Sequence, residues 1–347
     1  MIWPRCVPTA SPTTRSDDDV STVLVTGGAG YIGSHAVRAL RAAAHTVVVF
    51  DDLSAGHAAA VGDATLVEGD VRDTAQVETT LRRHEVTAVM HFAAVLSVGE
   101  SVREPARYYD NNVRGSLSVL DAMLAAGVHR FVLSSTCAVY GNPVTTPIDE
   151  NHPTNPINAY GESKLVVERA LAHYGRAYGL RAIALRYFNA AGADADGAVG
   201  EDHDPELHLI PRAIEAACGG AKLQVFGEDY PTADGTCERD YVHVSDLATG
   251  HLRALEALDT GATTRVYNLG TGRPHSVREV IRAVERATGR RVPAEAAPRR
   301  AGDPPVLCAS ADRIGRELGW RPAYVGLDEV VETAWRWHAA HPEGFEE

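Results

Sequence analysis

Lysine is nearly absent from this 347-residue chain: of its 33 Lys and Arg residues only Lys164 and Lys222 are lysines. Cysteine is sparse too. Cys6, Cys137, Cys218, Cys237 and Cys308 are odd in number, scattered, and include no Cys-x-x-Cys. That argues against a disulfide framework or a cysteine zinc site and favours reduced thiols in a cytoplasm. The 15 histidines show no His-Glu-x-x-His or comparable cluster, so no metal is expected and most are read as surface or packing residues. Basic charge is in deficit, and a formal net charge of −13 argues against a nucleic-acid partner. Small anionic substrates need only a few local cations and stay open. No apolar run is long enough to span a bilayer, so no membrane partner is expected. Residues 1–20, MIWPRCVPTASPTTRSDDDV, lack the apolar core of a signal peptide. Their Pro, Ser/Thr and Asp content predicts a disordered tail.

What is present describes an ordinary globule, with 45% hydrophobic and 23% charged residues. From residue 21 short β-branched runs alternate with helix-length segments. STVLVT (21–26), HTVVVF (45–50), ATLVEGD (64–70), TAVMHFA (87–93), RFVLSS (130–135) and RAIALRYF (181–188) read as strands. Their near-continuous apolar character fits parallel strands buried on both faces. Helices are expected over 31–44, 103–126 and 160–178. Repeated β-α units predict an α/β fold with a Rossmann-type doubly wound parallel sheet over residues 21–187. After residue 188 the pattern changes to loops, helices (LIPRAIEAAC, SVREVIRAVERATG) and short strands (KLQVFG, RVYNLG). Residues 188–347 are therefore expected to form a smaller α+β substrate-binding domain.

VLVTGGAGYIGSH places Gly27, Gly30 and Gly33 between the first strand and the first helix, with Tyr31 and Ile32 opening that helix. Glycine there permits a tight turn and close approach of backbone to a pyrophosphate, whose charge the helix N-terminus favours. The second strand ends at Asp51, 18 residues after Gly33, followed by Asp52. A carboxylate there accepts hydrogen bonds from a ribose diol and repels a 2′-phosphate, and no nearby Arg serves such a phosphate, so NAD is expected rather than NADP. Asp70, followed by Val71, ends the third strand, either near an adenine edge or as a plain loop carboxylate.

In NAYGESKLVVER (158–169), Tyr160 and Lys164 are four apart, which places them on one face of a helix. With two lysines in the whole chain, a chance Tyr-x-x-x-Lys pair is improbable. An ammonium is a compact point charge that can approach a phenol closely, where guanidinium is a broad fork.

Together these features resemble the extended short-chain dehydrogenase/reductases, and longer stretches sharpen the likeness. HFAAVLSVGESV, YYDNNVRGSL, SSTCAVYG, LRYFNAAGA, ERDYVHVSDLA, YNLGTG and RRAGDP resemble the UDP-glucose 4-epimerase family from about residue 21 to residue 340. The resemblance implies tightly held NAD, a UDP-sugar substrate, and inversion at C4 without net redox change. It implies that Tyr160 removes the sugar 4-OH proton, that Lys164 and the nicotinamide charge favour its phenolate, and that Thr136 hydrogen-bonds the substrate. A phenol with a pKa of about 10 is otherwise a poor base at neutral pH. It further implies that Phe92, Ala93, Ala94, Asn111, Ser134, Tyr187 and Phe188 border the cofactor. Phe188, Asn189, His208, Leu209, Arg239, Arg300 and Asp303 would contact the substrate, the arginines pairing with pyrophosphate oxygens. A homodimer built on helices 103–126 and 160–178 is also implied.

Two positions depart from the family pattern. Leu96 stands where some members carry a lysine near the cofactor ribose, which predicts weaker cofactor retention. Leu307 occupies a position where residue size governs whether an N-acetylated sugar fits, and leaves such substrates open. A 4-epimerase for another UDP sugar is therefore a competing reading. A 4,6-dehydratase is disfavoured, because Cys137 and Ala138 follow Thr136 where that chemistry needs Asp-Glu. A non-catalytic NAD-sensing regulator is disfavoured by the joint presence of Thr136, Tyr160 and Lys164.

Overall fold

The structure, a computed structural model, describes residues 20–300 and 303–346; the tail expected over residues 1–20 lies almost wholly outside them. Six parallel strands form at the expected places: β1 (Thr22–Thr26), β2 (Thr46–Asp51), β3 (Thr65–Glu68), β4 (Ala88–His91), β5 (Arg130–Thr136) and β6 (Arg181–Tyr187). Successive side chains of a strand point to opposite faces, and here both faces are covered. Val23, Val25, Val47 and Val49 enter one core with Val37 and Leu40 of α1 (Tyr31–Ala42). Leu24, Val48 and Phe50 enter the other. There they meet Val77 and Leu81 of α2 (Thr74–Arg83), Leu120 and Met123 of α5 (Gly115–Ala126), and Val167 and Leu171 of α6 (Ala159–Tyr178). Burying each such Val or Leu contributes about 1.5–3 kcal/mol.

The helix expected over 103–126 is interrupted. Short helices α3 (Val98–Arg103) and α4 (Pro105–Tyr108) precede a π-helical turn over Tyr109–Arg114, which runs into α5. Pro105 lacks an amide hydrogen and disfavours helical geometry at Glu104, so the chain restarts there. The helix expected at 160–178 is continuous. The Asn158 side chain caps it by accepting from the Gly161 amide at 2.8 Å, and Gly179 ends it in the left-handed conformation.

Beyond residue 188 the chain builds a second layer. Strand β9 (Glu238–His243) is central, pairing with β7 (Asn189–Ala191), β11 (Pro274–Ser276) and β13 (Val306–Leu307). A separate pair joins β8 (Leu223–Phe226) to β12 (Ala294–Ala297). Helices α7 (Leu209–Ala217), α9 (Val277–Thr288) and α11 (Leu327–Ala340) share a third core.

The strand expected at RVYNLG does not join this layer. β10 (Arg265–Leu269) pairs in parallel with β6 and makes the first sheet seven-stranded, in the order β10-β6-β5-β4-β1-β2-β3. Its preceding helix α8 (Val244–Asp259) packs beside α1, and α10 (Asp312–Glu317) adds Ile314 to the same core. Among the described residues no helix is long and apolar enough to cross a membrane.

Candidate active site

Most of the expected cofactor and catalytic residues sit at the carboxyl ends of the parallel strands or just after them. That is where open α/β sheets present ligand sites. β1 leads to Gly27, β2 ends in Asp51, Asp70 follows β3, and Phe92 follows β4. β5 ends in Thr136 and β6 in Tyr187. Parallel alignment, rather than sequence proximity, gathers them.

The turn after β1 is shaped for a diphosphate. Gly27 has φ of +71°, in the left-handed region where glycine is favoured. A Cβ on Gly33 would overlap the Gly27 carbonyl, so helix and turn close on each other only without one. Gly30 starts α1, which has no side-chain cap, so its first amides remain donors for an anion. Tyr31 is buried and its hydroxyl donates to the Gly192 carbonyl at 2.6 Å, tying this helix end to the second layer. Ile32 is half-buried against the core.

Asp51 is buried and braces the turn: its oxygens accept from the amides of Ala29 at 2.9 Å and Leu53 at 3.0 Å. Burial raises its pKa, and those two amides oppose the rise. Asp52 is exposed and accepts from Ser54. Asp70 is gripped by Arg72, which lowers its pKa, while Val71 is buried behind it. Phe92 and Ala93 both donate their amides to the Thr26 carbonyl, at 2.8 and 3.0 Å, which sets the chain beside the glycine turn; Ala94 is half-buried after them. Leu96 is exposed. Asn111 lies on the π-helical turn and donates to Asn112 at 3.2 Å. A π-helical turn is frequent at functional sites.

The catalytic candidates converge. Lys164 is 4% exposed, and its Nζ donates to the Ser134 carbonyl at 3.0 Å. The Ser134 hydroxyl pairs with the Tyr187 phenol at 2.6 Å. Thr136 caps the following turn by accepting from the Ala138 amide at 3.1 Å. The Tyr108 ring stands edge-on to Tyr160, with centroids 6.5 Å apart. Burial is the strongest influence on both members of the pair. It brings the Lys164 ammonium down to about 8, with Glu168 opposing the drop. It raises the Tyr160 phenol well above its usual value, helped by the neighbouring Tyr187, while Thr136 pulls the other way. Burial thus opposes the phenolate, the direction against which the expected charges of Lys164 and the nicotinamide would act.

On the sugar side, Phe188 is buried and Asn189 starts β7. His208 is the extended residue before α7, with Leu209 the first residue of that helix. Arg239 is nearly buried and ion-paired to Asp303, and it also donates to the Glu238 carbonyl at 2.7 Å. The Arg300 guanidinium lies over the Phe226 ring, 4.0 Å from its centroid. Arg300 and Asp303 border a cleft of about 500 Å³ with Asn142 and Pro143. Leu307 is half-buried on β13, in register with Arg239.

Some residues here have no counterpart in the sequence reading. Asn112, 1% exposed, clamps Val95 through both its amide and carbonyl and donates to the Ser163 hydroxyl at 3.1 Å. Glu168, one turn beyond Lys164 on the same helix face, holds Arg186 by two prongs, at 2.9 and 2.5 Å, and accepts from Ser135 at 2.5 Å. The four-residue step from Lys164 was a usable signal. Most histidines are expected at the surface or in packing, and His208 at the substrate; in the structure His203 and His208 converge with Glu201 and Glu206. Burial pushes the Glu201 carboxyl up, but the two imidazoles outweigh it and leave it at about 2. The packing role does hold for His35, His91, His243 and His251, which are buried and whose pKa values burial lowers.

Residues 23–270 match the family described as the NAD dependent epimerase/dehydratase family. A UDP-glucose 4-epimerase of Halalkalibacterium halodurans is 49% identical over 324 residues, covering 93% of this chain and 97% of that protein. The crystal structure of UDP-glucose 4-epimerase from Brucella ovis in complex with NAD superposes with a TM-score of 0.89 at 50% identity, covering 91% and 98% of the two chains. A UDP-glucose-4-epimerase from Stenotrophomonas maltophila, with bound NAD and formylated UDP-arabinopyranose, gives 0.90 at 42% identity over 93% and 99%.

Proposed function

Because this chain belongs to the NAD dependent epimerase/dehydratase family, we propose a division of labour among its residues for the interconversion of UDP-galactose and UDP-glucose. The enzyme is an NAD-dependent UDP-sugar 4-epimerase, an isomerase that passes through a transient 4-keto sugar. NAD, when bound, supplies the hydride acceptor at C4 and a positive charge beside the phenol. The glycine turn and the uncapped start of α1 fit its diphosphate, and Asp51 and Asp52 its ribose. Residues 21–187 carry this side and residues 188–347 the UDP-sugar.

Tyr160 takes the proton of the sugar 4-OH and later returns it. Thr136 orients that hydroxyl. Lys164, its amine anchored to the Ser134 carbonyl, supplies positive charge one helical turn from Tyr160. Arg239, Arg300 and Asp303 meet the UDP part, with His208, Leu209 and Asn189 along the nucleotide. The observation that carries this reading is a buried lysine one helical turn from a half-buried phenol on α6, its amine held by the Ser134 carbonyl, in a fold whose glycine turn admits a dinucleotide.

The test is an NMR mass balance with UDP-galactose and no added nicotinamide. Conversion to UDP-glucose supports the reading. Conversion only after NAD is added also supports it, and is the result expected if Leu96 costs the chain a cofactor contact. Silence in both arms overturns it in favour of another UDP sugar. Leu307, at a position where residue size governs the fit, keeps N-acetylated sugars open as substrates, and UDP-N-acetylgalactosamine in the same assay tests that extension.

A homodimer is proposed across the α3–α6 face, where Val98, Val102, Tyr109 and Tyr178 are exposed. Light scattering near twice 37.1 kDa supports it and a value near 37.1 kDa overturns it. A reducing, cytoplasmic setting fits the free thiols of Cys137, Cys218, Cys237 and Cys308.

A further inference from the structure

We propose that Glu201, His203, Glu206 and His208 form a binding site for a divalent first-row metal cation of the zinc type. These residues lie in the segment between β7 and α7, spaced Glu-x-His-x-x-Glu-x-His. Each offers one ligand atom, and the four atoms lie within 4.8 Å of one another. His203 Nδ1 is 3.4 Å from Glu201 Oε1 and 3.6 Å from Glu206 Oε2, and His208 Nδ1 is 3.6 Å from Glu206 Oε1. Tetrahedral zinc with bonds of about 2.0–2.1 Å sets its ligands roughly 3.3 Å apart. Three of the six ligand-to-ligand separations are therefore close to that spacing, while His208 and Glu201 have closed to a direct hydrogen bond.

Two further observations point to a cation. His203 Nδ1 is buried and faces both carboxylates at 3.4 and 3.6 Å without making a hydrogen bond to either. The side chains of Glu201 and Glu206 are 4% and 7% exposed, and among the described residues their ion-pair partners are these two imidazoles. Buried carboxylates need compensating charge. One divalent cation with two neutral imidazoles and two carboxylates balances to zero, and that ligand set suits zinc. The edge of the Tyr31 ring packs against His203, with centroids 6.2 Å apart, so a metal here would fasten the start of α7 next to the start of α1.

The experiment loads the chelator-stripped full chain with zinc, dialyses it, and counts bound metal by mass spectrometry. It also records the visible spectrum of the cobalt form and the melting temperature. One zinc per chain, an intense tetrahedral cobalt band, and a zinc-dependent rise in Tm are expected. In His203→Ala and Glu206→Gln the occupancy should fall to a small fraction, and the Tm rise should vanish while the far-UV spectrum is kept. Absence of stoichiometric zinc in the unaltered chain overturns the proposal, as does equal zinc in both variants. Should the variants fail to fold, X-ray absorption on the zinc-loaded unaltered chain decides. A nitrogen and oxygen shell supports the site, and a sulfur shell, which would place the metal on cysteine, overturns it.

Discussion

At Lys164 the fold accepts a cost. Burial of the ammonium takes its pKa from 10.5 to about 8, a penalty of roughly 3 kcal/mol for the charged form. The folded value is depressed, so the penalty is fully present below about pH 8 and fades as pH rises toward 10.5. Replacing the lysine by Met removes it, and also removes the bond to the Ser134 carbonyl, worth about 1 kcal/mol. Lys164→Met should therefore lose turnover yet gain about 2 kcal/mol of stability at pH 7, a gain that reaches zero near about pH 10 and turns into a loss of under about 1 kcal/mol by about pH 10.5; denaturant titrations at pH 7 and at the higher pH check it. Tyr160→Phe removes the proposed proton acceptor but little volume. It should abolish measurable epimerisation while UDP and NAD still bind, as calorimetry and the absorbance of nucleotide released on denaturation would report. Tyr160 and Lys164 were legible in the sequence because a four-residue helical step fixes their relation whatever the fold. Asn112 and Arg186 were not, because their partners lie 17 to 51 and 18 residues away. Glu201 and its histidines were hidden for another reason: their segment has no regular structure, so spacing alone did not show that the side chains converge.

Among elements, the β1 turn with α1 is the least tolerant of change. A methyl at Gly33 meets backbone rather than a flexible side chain, and overpacking of this kind costs about 1–3 kcal/mol. Gly33→Ala should purify with much less bound NAD, read from the absorbance of denatured supernatants, while the far-UV spectrum stays close to that of the unaltered chain. Undiminished NAD content would show that the turn can open. The six strands of the first half were readable because both their faces are buried, which leaves unbroken apolar runs. β10 has a run of the same kind, but its location in the first sheet depends on α8 crossing over α1, a long-range contact with no local signature. The break at Pro105 was legible in principle, since the residue before proline resists helical geometry; the π-helical turn that follows was not.

For the whole molecule, the return of β10 and α8 to the first sheet makes the two layers interdependent. Leu247, Leu255, Leu258, Tyr267 and Leu269 complete the core that Val23 and Val25 begin. A fragment ending at residue 188 would bare that core and the edge of β6. It should fail to show a cooperative melting transition, whereas the full chain should show one.

The arrangement as a whole serves one event: hydrogen leaves C4 of the sugar on one face and returns on the other without meeting solvent. UDP-galactose deuterated at C4, turned over in ordinary water and followed by NMR, tests this directly. The deuterium should remain at C4 of the UDP-glucose formed. Product carrying solvent hydrogen at C4 would contradict the account and point to exchange of the C4 hydrogen with water.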